Sequence, residues 1–92
     1  MIINLEFDKT VSSIAGNPYG KETFDEQVKK IINYNEKTTI VFPSYIRKIA
    51  ISFIQGFTKE MIDNLGYEKF FEIIEIDVSS AKLKEKFIES LK

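Results

Sequence analysis

Apolar and polar residues alternate at the start of the chain. Ile3, Leu5 and Phe7 fall on one side of an extended segment and Ile2, Asn4 and Glu6 on the other, the two-residue period of a strand. One side is apolar and the other mixed, which predicts an edge strand. Asp8-Lys9 reads as a turn into a second short strand, Thr10 to Ile14, forming a hairpin. Gly16-Asn17-Pro18-Tyr19-Gly20 concentrates turn residues and predicts a loop. The period then lengthens. Phe24, Val28, Ile31 and Ile32 share one helical face, predicting a helix over Lys21 to Asn33 with Thr23 and Glu26 as its capping box.

Thr38 to Phe42 is β-branched and nearly all apolar, the pattern of a central strand covered on both faces, and Pro43 stops it. Residues 43–51 read as a connection with Ile46, Ile49 and Ile51 turned inward. A second helix follows from Ser52 to Leu65. Ser52 and Gln55 have the S-x-x-Q spacing of a capping box, and Gly66 stands just past the end. Its apolar stripe is Ile54, Phe57, Met61 and Leu65. Phe70 to Ile76 alternates as the next strand. Ser79 or Ser80 then caps a last helix carrying Leu83, Phe87, Ile88 and Leu91 inward, with Lys82, Lys84, Glu85, Lys86 and Glu89 toward water. Strands alternating with helices predict a single compact α/β domain over residues 1–92: a small mixed β-sheet of about three to four strands with about three helices packed on it.

Composition narrows the chemistry. The 92 residues contain no His and no Cys, which removes the commonest general base, thiolate nucleophiles, disulfides and the usual transition-metal ligands. Lys+Arg is 13 against 14 Asp+Glu, a net charge of −1, and Arg47 is the single arginine. Nucleic-acid affinity comes largely from phosphate neutralisation, so this balance argues against that partner. The apolar start lacks a basic region and a cleavage site, no apolar run reaches membrane-spanning length, and no lipidation signal is present. A cytoplasmic chain without membrane contact is the expectation.

Few residue sets remain as candidates. The Gly16–Gly20 segment matches neither phosphate-loop pattern, and Pro18 removes an amide that such a cradle would use. Glu72 with Glu75, and Asp25 with Glu26, are carboxylate pairs without a partnering base, and read more simply as solvated faces and favourable charges at a helix start. No catalytic residue, metal ligand or cofactor is assigned, and the chain is read as not an enzyme. Ser52 stands at a helix start after a central strand, where α/β proteins present binding surface. Its simpler role is to cap the helix. Tyr is enriched at interfaces, and Tyr45 and Arg47 lie in the connection that leads to Ser52. Tyr45, Arg47, Ser52 and Gln55 are therefore the expected partner-binding set. An exposed first strand is also a route to a homodimer.

Thr39-Ile40-Val41-Phe42-Pro43, then Ile49-Ala50-Ile51-Ser52-Phe53-Ile54-Gln55-Gly56-Phe57 and Asn64-Leu65-Gly66, with Asn17-Pro18-Tyr19-Gly20 upstream, resemble the STAS-like family. These are small bacterial and phage relatives of the STAS domains of anti-sigma-factor antagonists. The resemblance implies a small sheet carrying helices, no enzymatic activity, and function by binding another protein. It implies a partner such as a kinase-type ATPase or other regulator, with Ser52 at the position of the antagonists' phosphoacceptor. The antagonist motif, roughly D-S-S-G, is Ala50-Ile51-Ser52-Phe53 here, without the acid and the glycine. An alternative role for such a chain is a small phage or mobile-element protein that inhibits a host system by surface binding. Ligand sensing at the same helix start is a third.

Overall fold

The fold was analysed in a computed structural model, which describes residues 1–91. The elements are β1 (Ile2–Asn4), β2 (Ser13–Ile14), α1 (Asn17–Gln27), β3 (Thr38–Val41), β4 (Lys48–Ile49), α2 (Ile51–Leu65), α3 (Tyr67–Ile73), β5 (Ile74–Asp77) and α4 (Ala81–Glu89). The α/β class holds. The single mixed sheet does not: one sheet of order β1-β3-β5 and another of β2-β4 are both wholly parallel.

Register explains the main sheet. Ile3, Ile40 and Ile76 form one transverse row and are buried, while Ile2, Thr39 and Glu75 form the adjacent row on the opposite face. β3 is the central strand, as its apolar run predicts, but it is fully covered on one face only, with Thr39 and Val41 half-buried on the other; β1 is an edge strand. The opposite face is open: Ile2 is 68% exposed. On the closed face, Phe42 stacks at 6.2 Å on Phe7 and meets Phe57 at 5.5 Å and Phe87 at 5.9 Å. These rings join the N-terminal segment, β3, α2 and α4 in one core.

The hairpin is replaced by a longer-range pairing. Asp8 accepts hydrogen bonds from the Thr10 amide and hydroxyl, at 2.9 and 2.7 Å, and does turn the chain. But β2 then pairs with β4, Ile14 against Ile49, rather than with β1. Each of these strands leads directly into a helix, and the parallel pairing sets α1 and α2 side by side. The extended segment past β1 is closed at Glu6. The side-chain amide of Gln27 accepts from the Glu6 N–H at 2.7 Å and donates to the Glu6 carbonyl at 2.8 Å, as a neighbouring strand would.

Helix boundaries also move. The expected Gly16–Gly20 loop is largely the first turn of α1, because Pro18 falls where its fixed φ and missing N–H suit a helix start. At the other end, α1 stops at Gln27 rather than Asn33. Val28 leaves helical geometry while buried, and the Asn33 side chain bonds the Asn35 amide at 2.9 Å, a local turn that competes with helix. Thr23 is no cap: its hydroxyl donates to the Tyr19 carbonyl inside α1. The strand expected over Phe70 to Ile76 begins as helix. Phe70 is buried by α3 and Phe71 on the next position is 38% exposed, so strand character starts only at Ile74. Ile46 is buried and Ile49 half-buried as expected, but Ile51 is 59% exposed. At the first position of α2 it points away from the packed stripe of Phe53, Ile54, Phe57 and Met61. Ser80 caps α4 by accepting from the Leu83 amide at 3.1 Å.

Candidate functional site

Ser52 lies in the first turn of α2, half-buried. It does not cap that helix. The N-cap is Ala50, without a side-chain bond, so the Ser52–Gln55 capping box is absent. Instead the Ser52 hydroxyl oxygen accepts the Gly16 N–H at 2.9 Å, linking the start of α2 to the start of α1.

The link belongs to a close helix crossing. A Cβ on Gly20 would lie 2.1 Å from the Phe53 carbonyl oxygen, and one on Gly56 would lie 2.1 Å from the Asn17 carbonyl oxygen. The two backbones thus touch where Gly16-x-x-x-Gly20 on one side faces Ser52-x-x-x-Gly56 on the other. Small residues four apart share a helix face and let two helices approach to backbone contact. This spacing is the signal that a reading of Gly16–Gly20 as a loop overlooks. Tyr19, one residue before Gly20, packs edge-on against Phe53 at 5.4 Å. Burial pushes its phenol pKa up, and the nearby Glu22 carboxylate adds to the shift.

The other expected contacts divide. Arg47 is exposed and lines a groove of about 380 Å³ with Lys48, Ala50 and, from α4, Lys86. Gln55 is exposed one turn beyond Ser52 and lines a second groove, about 270 Å³, with Asn17, Lys59 and Ser90. The first groove is walled by α4 and the second by Ser90 and Leu91 just past its end; in sequence Gly16 and Ser52 fall between the residues that line the two. Tyr45 is drawn elsewhere: its hydroxyl donates to the Phe7 carbonyl, fastening the connection after β3 to the end of the first extended segment. Arg47, Ser52 and Gln55 therefore share the side where α1 and α2 begin, and Tyr45 serves the scaffold.

Two of the four acidic candidates are ion-paired: Asp25 with Lys21 at 3.2 Å, and Glu75 with Lys84. Among the described residues no group of three carboxylates is placed to hold a metal ion. No helix among them is long and apolar enough to cross a membrane. No family model, no curated protein and no solved structure matches the chain.

Proposed function

We propose that the protein is a non-enzymatic, STAS-like binding module that engages a partner protein through the side where α1 and α2 begin, with Arg47, Ser52 and Gln55 in the contact. The Ser52–Gly16 hydrogen bond carries the reading. One hydroxyl near the surface holds the starts of both helices, so a group that binds or modifies Ser52 acts on two elements at once. The absence of His and Cys adds to this: the commonest base for activating that hydroxyl is missing from the chain. A phosphoryl group would have to come from a kinase-type partner. It would add about −1.5 to −2 charges at the positive ends of two helices and displace the Gly16 contact.

Affinity capture with the full chain from its native cells tests this. Ser52→Glu and Arg47→Glu lose a partner that wild type and Tyr45→Phe retain. Capture that is insensitive to both substitutions, with all variants folded by circular dichroism, overturns the reading.

A further inference from the structure

Lys21, Lys29, Lys59 and Lys84 each sit within ion-pair distance of a carboxylate. Among the described residues Lys9, Lys30, Lys37, Lys69 and Lys82 take part in no ion pair found, and neither do Arg47, Lys48 and Lys86; these last three are exposed together around one groove. That groove contains no Asp or Glu. Its floor is apolar, formed by Ile49 at half burial and by Leu83, which lies one turn before Lys86 on α4.

The helix starts reinforce the sign. Ala50 is the N-cap of α2, and Ala15 immediately precedes the N-cap of α1; both line the groove. Neither helix has an acidic residue in its first turn, and neither N-cap makes a side-chain hydrogen bond. The positive ends of two parallel dipoles thus add to three side-chain cations, and no carboxylate of the groove offsets them.

We infer that this groove is the seat for an acidic segment of a partner protein, with an apolar side chain set on Ile49 and Leu83 and carboxylates meeting Arg47, Lys48 and Lys86. The inference deepens the binding role proposed above and rests on it, since it names what the partner brings. A peptide fits better than nucleic acid. Three cations neutralise too few phosphates for useful affinity in a chain of net charge −1, and an apolar floor offers nothing to a sugar–phosphate backbone. It also explains why the one arginine stands here, since its planar fork meets a carboxylate bidentately.

The test titrates isotope-labelled full-length protein with a short synthetic peptide of Asp and Glu interrupted by Leu, and separately with an oligothymidylate of equal charge. The peptide moves amide signals at Ser13–Ala15, Lys48–Ala50 and Leu83–Lys86, and added salt weakens it. Combined Arg47→Glu and Lys86→Glu weakens it by about tenfold or more, as expected for two attractions turned to repulsions at a surface. No shifts at millimolar peptide, shifts confined to another face, or equal affinity for the oligothymidylate would overturn the inference. So would self-association of the free chain that Arg47→Glu abolishes. Lys86→Glu alone separates this proposal from the previous one, because Lys86 lines the groove and lies outside the contact set of Arg47, Ser52 and Gln55. It weakens the peptide if the groove is the seat. Peptide affinity unchanged by Lys86→Glu, with capture still lost on Ser52→Glu, sinks the groove and keeps the role of Ser52. A peptide weakened by Lys86→Glu while capture remains indifferent to Ser52→Glu does the opposite.

Discussion

Tyr19 and Tyr34 are held protonated beyond the ordinary tyrosine range near 10. Burial is the larger cause for both. Glu22 adds to it at Tyr19 and Glu60 at Tyr34, where an Asn64 hydrogen bond works the other way. A folded-state pKa above the unfolded one means that the native chain binds more protons in that window. Its contribution to stability is complete below the unfolded pKa and is lost as pH rises through the folded one. Urea midpoints should therefore be level from about pH 8 to 9 and fall above about pH 10. The double variant Tyr19→Phe, Tyr34→Phe should fall less steeply; an equally steep fall would assign the alkaline loss to other groups. Asp8 acts at the other end. The Thr10 hydroxyl and then its amide hold its carboxyl below the ordinary 3.8, so its small surface contribution fades only as pH drops through that lowered value. Among single residues, those whose role depends on near neighbours were legible in the sequence. The Ser80 cap is an example, since its partner Leu83 is three positions on. Ser52 was legible as a helix-start serine but not as the acceptor for Gly16, 36 positions away, because no local pattern encodes that meeting.

The crossing of α1 and α2 inverts a usual substitution rule. Inside a solvent-exposed helix, Gly→Ala gains about 1 kcal/mol from propensity. At Gly56 the added Cβ would stand 2.1 Å from a backbone carbonyl that no rotamer change can move. Gly56→Ala should destabilise by about 1–3 kcal/mol or more through overpacking, and Gly20→Ala likewise; a urea midpoint unchanged or raised in either variant would mean the helices are farther apart. Gln27 makes a second prediction. Its amide stands in for a strand at Glu6, on the extended segment that continues β1, and unpaired edges invite another chain. Gln27→Ala should show concentration-dependent association by sedimentation, while Gln27→Asn, too short to reach both groups, should behave like it. A strictly monomeric Gln27→Ala would show that the plug is dispensable. Long, periodic elements were readable for the reason these two devices were not. The stripe of α2 repeats within its own sequence, so its span was expected almost to the residue. β2 and β4 are two residues each, too short for any period, and exist only because each leads into one of two helices that touch. The start of α1 was hidden because glycines that serve a close crossing look the same as glycines that serve a turn.

The whole domain is organised around Phe42, at the end of the central strand, and its stability should register that. The ring is 2% exposed and meets Phe7, Phe53, Phe57 and Phe87, each from a different turn of the chain, at 5.5–6.4 Å. A chain of this length has about 5–14 kcal/mol of stability in all. Truncating a buried aromatic costs about 3–5 kcal/mol, from lost transfer energy and the cavity left behind. Phe42→Ala should thus consume much of the total and leave a marginal fold, and Phe57→Ala should do nearly the same. Phe71→Ala is the contrast: the ring touches Phe70 edge-on at 5.4 Å but is 38% exposed, so it should cost below about 1 kcal/mol. Sequence pattern alone ranks Phe70 and Phe71 together, since adjacent aromatics in an alternating segment both read as core. The α3 helix that separates them is set by burial against the rest of the molecule. Three urea melts decide it: a small loss at Phe42 with a large one at Phe71 would mean that Phe70-Phe71 continues β5 as a strand, and the core would have to be redrawn around it.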